Sequence, residues 1–149
     1  MFKRILVPLD GSDLAEEALT KAAELATQNN AELYLLRVFE PEQTLAAPVS
    51  SFDTYHLVVS VKEVKARAVA YLEEIKEMYK DLAITPLVVE SIGSVGKVIA
   101  SQAIEHDIDL ILMTSHGYTG FRRFVMGSVT TETLKQAECP VLVIPAKSL

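Results

Sequence analysis

The chain has little of what disulfide, metal or membrane chemistry requires. Its one cysteine, Cys139, leaves no internal disulfide to form. Standing beside Pro140 at the start of an apolar run, it reads as a buried structural thiol rather than a reactive one. The three histidines, His56, His106 and His116, stand far apart, and no helix pattern carries a His-x-x-x-His or His-Glu pair. No protein metal site is therefore assigned. No apolar run reaches membrane-spanning length, and Met1 passes straight into the strand pattern "FKRILVPLD". Neither a membrane span nor a secretory leader is expected, which places the protein in the cytoplasm. Basic residues are also scarce: 14 Lys and Arg against 20 Asp and Glu give a formal charge of −6. That balance lends no support to a nucleic-acid or anionic-membrane partner, though a local anion site needs only a few donors. Repeats, low-complexity tracts and linkers are missing too, and 149 residues, half of them apolar, suit a single domain spanning 1–149.

What is present is alternation. "ILVPL" (Ile5 to Leu9) is a short apolar run, as expected of a strand covered on both faces. "GSD" follows, with Ser12 or Asp13 as N-cap and Asp13 and Glu16 at capping-box spacing. Ala15, Ala18, Leu19, Ala22, Ala23 and Ala26 then recur at helical spacing, and "QNN" ends the helix. "AELYLLRVF" is a second strand, and residues 40–58, with Pro41 and Pro48, read as a long loop. Val61, Val64, Ala68, Leu72, Ile75 and Tyr79 mark a second helix, and "ITPLVVE" a third strand, where Pro86 suits a sheet edge. A third helix in "GSVGKVIASQAIEHD", a fourth strand "LILM", a helix from Ser128 to Ala137 and a last strand "PVLVIP" complete the pattern. Strand-helix alternation throughout predicts an α/β fold, a parallel sheet with helices on both faces.

In such a sheet ligands bind beyond the carboxyl ends of the strands, where the strand order reverses. Two strand ends look equipped: the first, in "PLDGSD", and the fourth, in "TSHGYTGFRRFVMGSVT". Gly117, Gly120 and Gly127 allow close main-chain approach to a ligand, and Ser128, Val129 and Thr130 fall in the first turn of a helix, where unpaired N–H groups favour an anion such as phosphate. No Lys follows Gly127 and no Gly-x-Gly-x-x-Gly occurs, so the two commonest phosphate loops are excluded. Plainer readings stand beside this one. The glycines can simply shape a βα loop, Ser128 can be an ordinary N-cap, and Arg122 and Arg123 can be a solvated face instead of a phosphate clamp. Asp10 can cap the following helix, and His116 has no triad partners. A phosphoryl-receiver reading finds only Glu90 in "ITPLVVESIGS".

"ILVPLDGSDLAEEAL" at the start and "GYTGFRRFVMGSVTTETLKQAECPVLVIP" at the end, with the order between them, resemble the universal stress protein family over essentially the whole chain. The specific element is a Gly-x2-Gly-x9-Gly-(Ser/Thr) pattern associated there with ATP binding. Gly117 and Gly127-Ser128 match its second and third glycines, while Thr114 replaces the first and Tyr118 stands where many relatives carry Arg or Lys. The resemblance implies a Rossmann-like five-stranded parallel sheet of order 3-2-1-4-5. It also implies ATP in a crevice between the first and fourth strands. Asp10 is then expected at the adenosine, the Val38 main chain at the adenine edge, Pro8 and Leu9 as walls, and Met113 near the base or ribose. Gly117, Gly127, Ser128, Val129 and Thr130 hold the phosphates, with Mg or Mn shared among them and Arg122 and Arg123 as further phosphate contacts. At Thr114 a Cβ would crowd the ligand unless φ stays negative. A homodimer through the Pro140 to Pro145 strand is also implied, since pairing covers a bare apolar edge. The function this points to is a cytoplasmic stress-response protein with ATP as a regulatory ligand. A nucleotide-independent dimeric interaction module and a slow ATP hydrolase are the alternatives.

Overall fold

The computed structural model describes residues 1–40, 54–91, 93–115 and 126–145, with 54–60 as backbone. Five strands, β1 (Arg4–Pro8), β2 (Glu32–Phe39), β3 (Ile84–Glu90), β4 (Leu110–Thr114) and β5 (Val141–Ile144), form one parallel sheet in the order β3-β2-β1-β4-β5. Four helices alternate with them: α1 (Asp13–Asn29), α2 (Thr54–Met78), α3 (Val95–Glu105) and α4 (Ser128–Gln136).

Side-chain alternation sorts the core into two layers. Ile5, Val7, Leu33, Leu35, Leu110 and Leu112 pack with Ala18, Leu19 and Ala22 of α1 and Leu72 and Ile75 of α2. Leu6, Leu36, Ile111 and Met113 point the other way and pack with Ile99 and Ala103 of α3. Because β1, β2 and β4 feed both layers, their sequences are continuous apolar runs. The alanine stripe predicted for α1 is buried as expected, and its small side chains bring the helix close to β1 and β4.

Helix α1 starts at Ser12, whose Oγ accepts from Ala15 N–H at 3.2 Å, and ends at Asn30 in the left-handed region (φ 50°). Asp13 and Glu16 therefore form no capping box: with Ser12 as cap they fall in the first turn, where their charge meets the positive end of the helix dipole. Residues 54–58, expected in a loop, are the first turns of α2, since no breaker follows Pro48 and the helix extends back ahead of its clear periodicity. The rest of the expected loop, 41–53, lies outside the described residues. Pro86 sits on β3, an edge strand as predicted.

Candidate functional site

β1 and β4 are neighbours, yet α1 covers one face of the sheet and α3 and α4 the other. The connection leaving β1 and the connection leaving β4 depart to opposite faces, and the gap between them is the topological switch point.

On the β1 side, Leu9 continues the ladder by one bond, its N–H donating to Leu36 O at 2.8 Å. Gly11 then turns the chain with φ +82°, a conformation that glycine takes without strain. The Asp10 carboxylate accepts from Ser12 N–H at 2.9 Å and from Ser12 Oγ at 2.5 Å, and Ser12 in turn caps α1. Asp10 thus positions the cap and is not the cap itself. Pro8 and Asp10 are half-buried and Leu9 is buried, so the strand end forms a wall with one carboxylate at its rim.

β2 runs on beyond β1. The last pair is Pro8 with Leu36, leaving Arg37, Val38 and Phe39 alongside β3 only. Even-numbered residues of β2 direct their main-chain groups toward β1, as Glu32 N–H to Lys3 O and Leu36 O from Leu9 N–H show. Val38 N–H and C=O therefore face the open end of the crevice.

On the β4 side, Met113 is buried in the α3 layer and Thr114 is buried at the strand's end, paired with Ile144. Among the described residues only Asn30 and Asp107 are non-glycines at positive φ, so Thr114 keeps an extended backbone that any residue adopts. The position of the missing glycine needs no glycine conformation here. Ser115 N–H donates to Ile144 O at 2.9 Å, and Gly127 N–H to Ser115 O at 2.8 Å. Thr130 Oγ1 donates to Thr114 O at 3.0 Å and reaches Ser115 O at 3.3 Å, tying α4 to the end of β4.

Gly127, not Ser128, is the N-cap of α4, and it carries no side chain to satisfy the first-turn donors. The first intrahelical bond runs from Thr131 N–H to Gly127 O at 2.9 Å. The N–H groups of Ser128, Val129 and Thr130 precede it and stand at the positive end of the helix dipole. Ser128 and Val129 are exposed and Thr130 is buried. Gly117, Gly120, His116, Tyr118, Arg122 and Arg123 lie outside the described residues.

Two side chains near this edge escaped the sequence reading. Arg37 interrupts the apolar second half of β2 and donates from Nη1 to Leu9 O at 3.1 Å. The Tyr71 hydroxyl is buried with no hydrogen-bond partner. Burial, with the Glu16 and Asp10 carboxylates, pushes its pKa up to about 12 against the opposing pull of Arg37. A charge between Leu36 and Val38 was the available signal for Arg37; nothing in the sequence marked out Tyr71.

A concavity of about 410 Å³ at the opposite end of the sheet is lined by Lys3, Arg4, Asn30, Glu32 and Asp81 among others. Several of its polar groups are already engaged: Lys3 Nζ with Asn29 O, Arg4 with Asp107, and Glu32 with Thr85 and Tyr34. Among the described residues no group of three or more His, Cys, Asp or Glu is placed to hold a metal, and no helix is long and apolar enough to cross a membrane.

An open parallel α/β sheet with an anion-ready helix and a carboxylate at its switch point defines the class of protein. The sequence profile of the universal stress protein family matches residues 1–145, and the chain belongs to that family. Universal stress protein YxiE of Bacillus subtilis is 29% identical over 147 residues, covering 97% of this chain and 99% of that protein. The solved structure of Methanocaldococcus jannaschii MJ0577 superposes with a TM-score of 0.85 at 28% identity, covering 100% and 99% of the two chains. Two more distant structures share the fold. One is a universal stress protein in complex with cAMP (20% identity, TM-score 0.68, covering 98% of both chains). The other is the Archaeoglobus fulgidus protein in complex with dAMP (22%, TM-score 0.60, covering 96% and 98%).

Proposed function

We propose that this stress-response protein binds ATP in the β1–β4 crevice as a regulatory ligand. The observation that carries the reading is the α4 N-terminus: a glycine cap leaves the Ser128, Val129 and Thr130 donors to an anion, directly across the switch point from Asp10. In this reading Asp10 meets the adenosine, Pro8 and Leu9 wall the pocket, and the Val38 main chain meets the adenine edge. Met113 lies near the base or ribose, and Thr114 is tolerated because its backbone is extended. Gly117, Gly127 and the first turn of α4 hold the phosphates, with Arg122 and Arg123 as further contacts. A Mg or Mn ion is shared with the phosphates in this reading. Adenine nucleotides on the same fold in the cAMP and dAMP complexes support the choice of ligand.

Titration calorimetry of nucleotide-stripped protein with ATP and magnesium, with GTP as control, tests the reading. Saturable micromolar binding near one per chain is expected. No heat at several temperatures, together with no thermal shift, overturns it and leaves the interaction-module reading.

A second reading concerns assembly. β5 is an edge strand with Leu142 41% exposed, the kind of edge that pairing with a second copy covers. A homodimer through this strand is expected at micromolar concentration, and a sizing experiment that finds only a 16.4 kDa species removes it.

A further inference from the structure

The β1–β2 ladder ends at an unusual place. Its bonds alternate regularly up to Leu9 N–H donating to Leu36 O at 2.8 Å. In a parallel ladder the next rung would be Val38 N–H donating to Leu9 O. That bond is not formed, and Leu9 O instead accepts from Arg37 Nη1 at 3.1 Å. The guanidinium projects from the α1 and α2 face, the side shared by Leu33 and Leu35, and reaches over the end of β1. It lies 4.0 Å from where a Cβ on Gly11 would stand, so the turn that carries Asp10 passes directly over it.

We infer that Arg37 is a positioning residue that stops the ladder one rung early, and so keeps the Val38 N–H available at the crevice. One carbonyl has two candidate donors. A charged donor makes the stronger bond, so the side chain displaces the main chain from Leu9 O. The cost is one unmade rung at the rim, where water or a ligand can meet the freed N–H. The same contact pins the residue immediately before Asp10, so one side chain sets both halves of the adenosine end. This inference rests on the reading that Val38 meets the base edge, but its first half, the state of the Val38 N–H, holds or fails without any ligand.

The test is amide hydrogen exchange at Val38, with Leu36 as internal reference, in the wild type, R37M and R37K without nucleotide. ATP titration of the same three proteins follows. Methionine keeps the aliphatic bulk and removes the donors; lysine keeps a charged donor. In R37M the Val38 amide should close onto Leu9 O and exchange about tenfold more slowly while Leu36 is unchanged, and ATP should bind about tenfold more weakly, the loss expected for one ligand hydrogen bond. R37K should retain fast exchange at Val38 and most of the affinity. Unchanged Val38 exchange in R37M overturns the inference, as does faster exchange at Val38 and Leu36 together, the mark of general loosening. Slower exchange with undiminished ATP binding overturns the ligand half. If the wild type binds no nucleotide, the ATP reading and the ligand half fall together, while the exchange comparison still decides the ladder half.

Discussion

The Thr130 hydroxyl and the Thr114 carbonyl are joined across 3.0 Å, so the last residue of β4 and the first turn of α4 move as one. Both residues are buried, at 3% and 7% exposure, which makes the bond costly to lose. Thr130→Val keeps the shape and deletes the donor. It should lower unfolding free energy by about 1–3 kcal/mol in urea titration and weaken ATP binding, because the first-turn N–H groups are no longer held in place. A variant as stable as the wild type would mean that water replaces the hydroxyl.

Thr114→Gly restores the family's motif glycine, yet no gain in ATP affinity is expected. The Thr114 backbone is already extended and paired with Ile144, so glycine adds freedom where none is used. Loss of the buried side chain and the entropy of glycine in a strand should cost about 1 kcal/mol or more. A large rise in affinity would show that the side chain obstructs the crevice.

Gly96→Ala should destabilise by about 1–3 kcal/mol in the same assay. A Cβ there would stand 2.5 Å from Glu132 Cβ and 3.0 Å from Thr133 N, so α3 and α4 would have to part. The better helix propensity of alanine offsets only part of this. The clash falls on α4 one turn beyond Ser128 to Thr130, so a shift of α4 should also weaken ATP binding, as read by the same calorimetry.

Tyr71 gives a pH dependence whose sign is fixed by its raised pKa of about 12. In the unfolded chain the phenol titrates near 10, so its contribution is intact below that pH and is lost as the pH rises toward 12. Tyr71→Phe removes the orphaned hydroxyl. It should be at least as stable as the wild type at pH 7 and gain on it steadily between pH 10 and 12, as read by thermal unfolding across that range.

Burial also pushes the Cys139 thiol above its ordinary value. Alkylation by iodoacetamide at pH 8 should therefore be slower in the native state than in urea, where the thiol is solvated and more of it is thiolate. The residue is half-buried against the α3 layer, less deeply placed than its sequence context suggested.

The fold was legible because its signals are local and repeated. Apolar runs at β1 and β4, the alanine stripe of α1 and the edge-seeking Pro86 each specify an element by a rule that needs no partner. Helices on both faces were expected from strand-helix alternation, while the residues that feed each layer emerge only from the packed sheet. The crevice was half legible: Asp10 and the α4 first turn announce themselves by residue type and position. The cap of α4 was misplaced by one residue because glycine and serine are both good caps and adjacent, and only hydrogen bonding tells them apart. Arg37 was invisible as a site residue because its effect depends on where β1 stops relative to β2, a register no single segment encodes.

Ser115 and Gly127 share a hydrogen bond of 2.8 Å, which closes the chain on itself at the mouth of the crevice. Ser115 N–H in turn donates to Ile144 O at 2.9 Å, so the cap of α4, the end of β4 and the end of β5 are fastened in series. Both links are main-chain bonds, so no side-chain exchange other than to proline deletes either of them. The start of α4 is indexed to the sheet by the backbone, and sequence can drift around it without moving it.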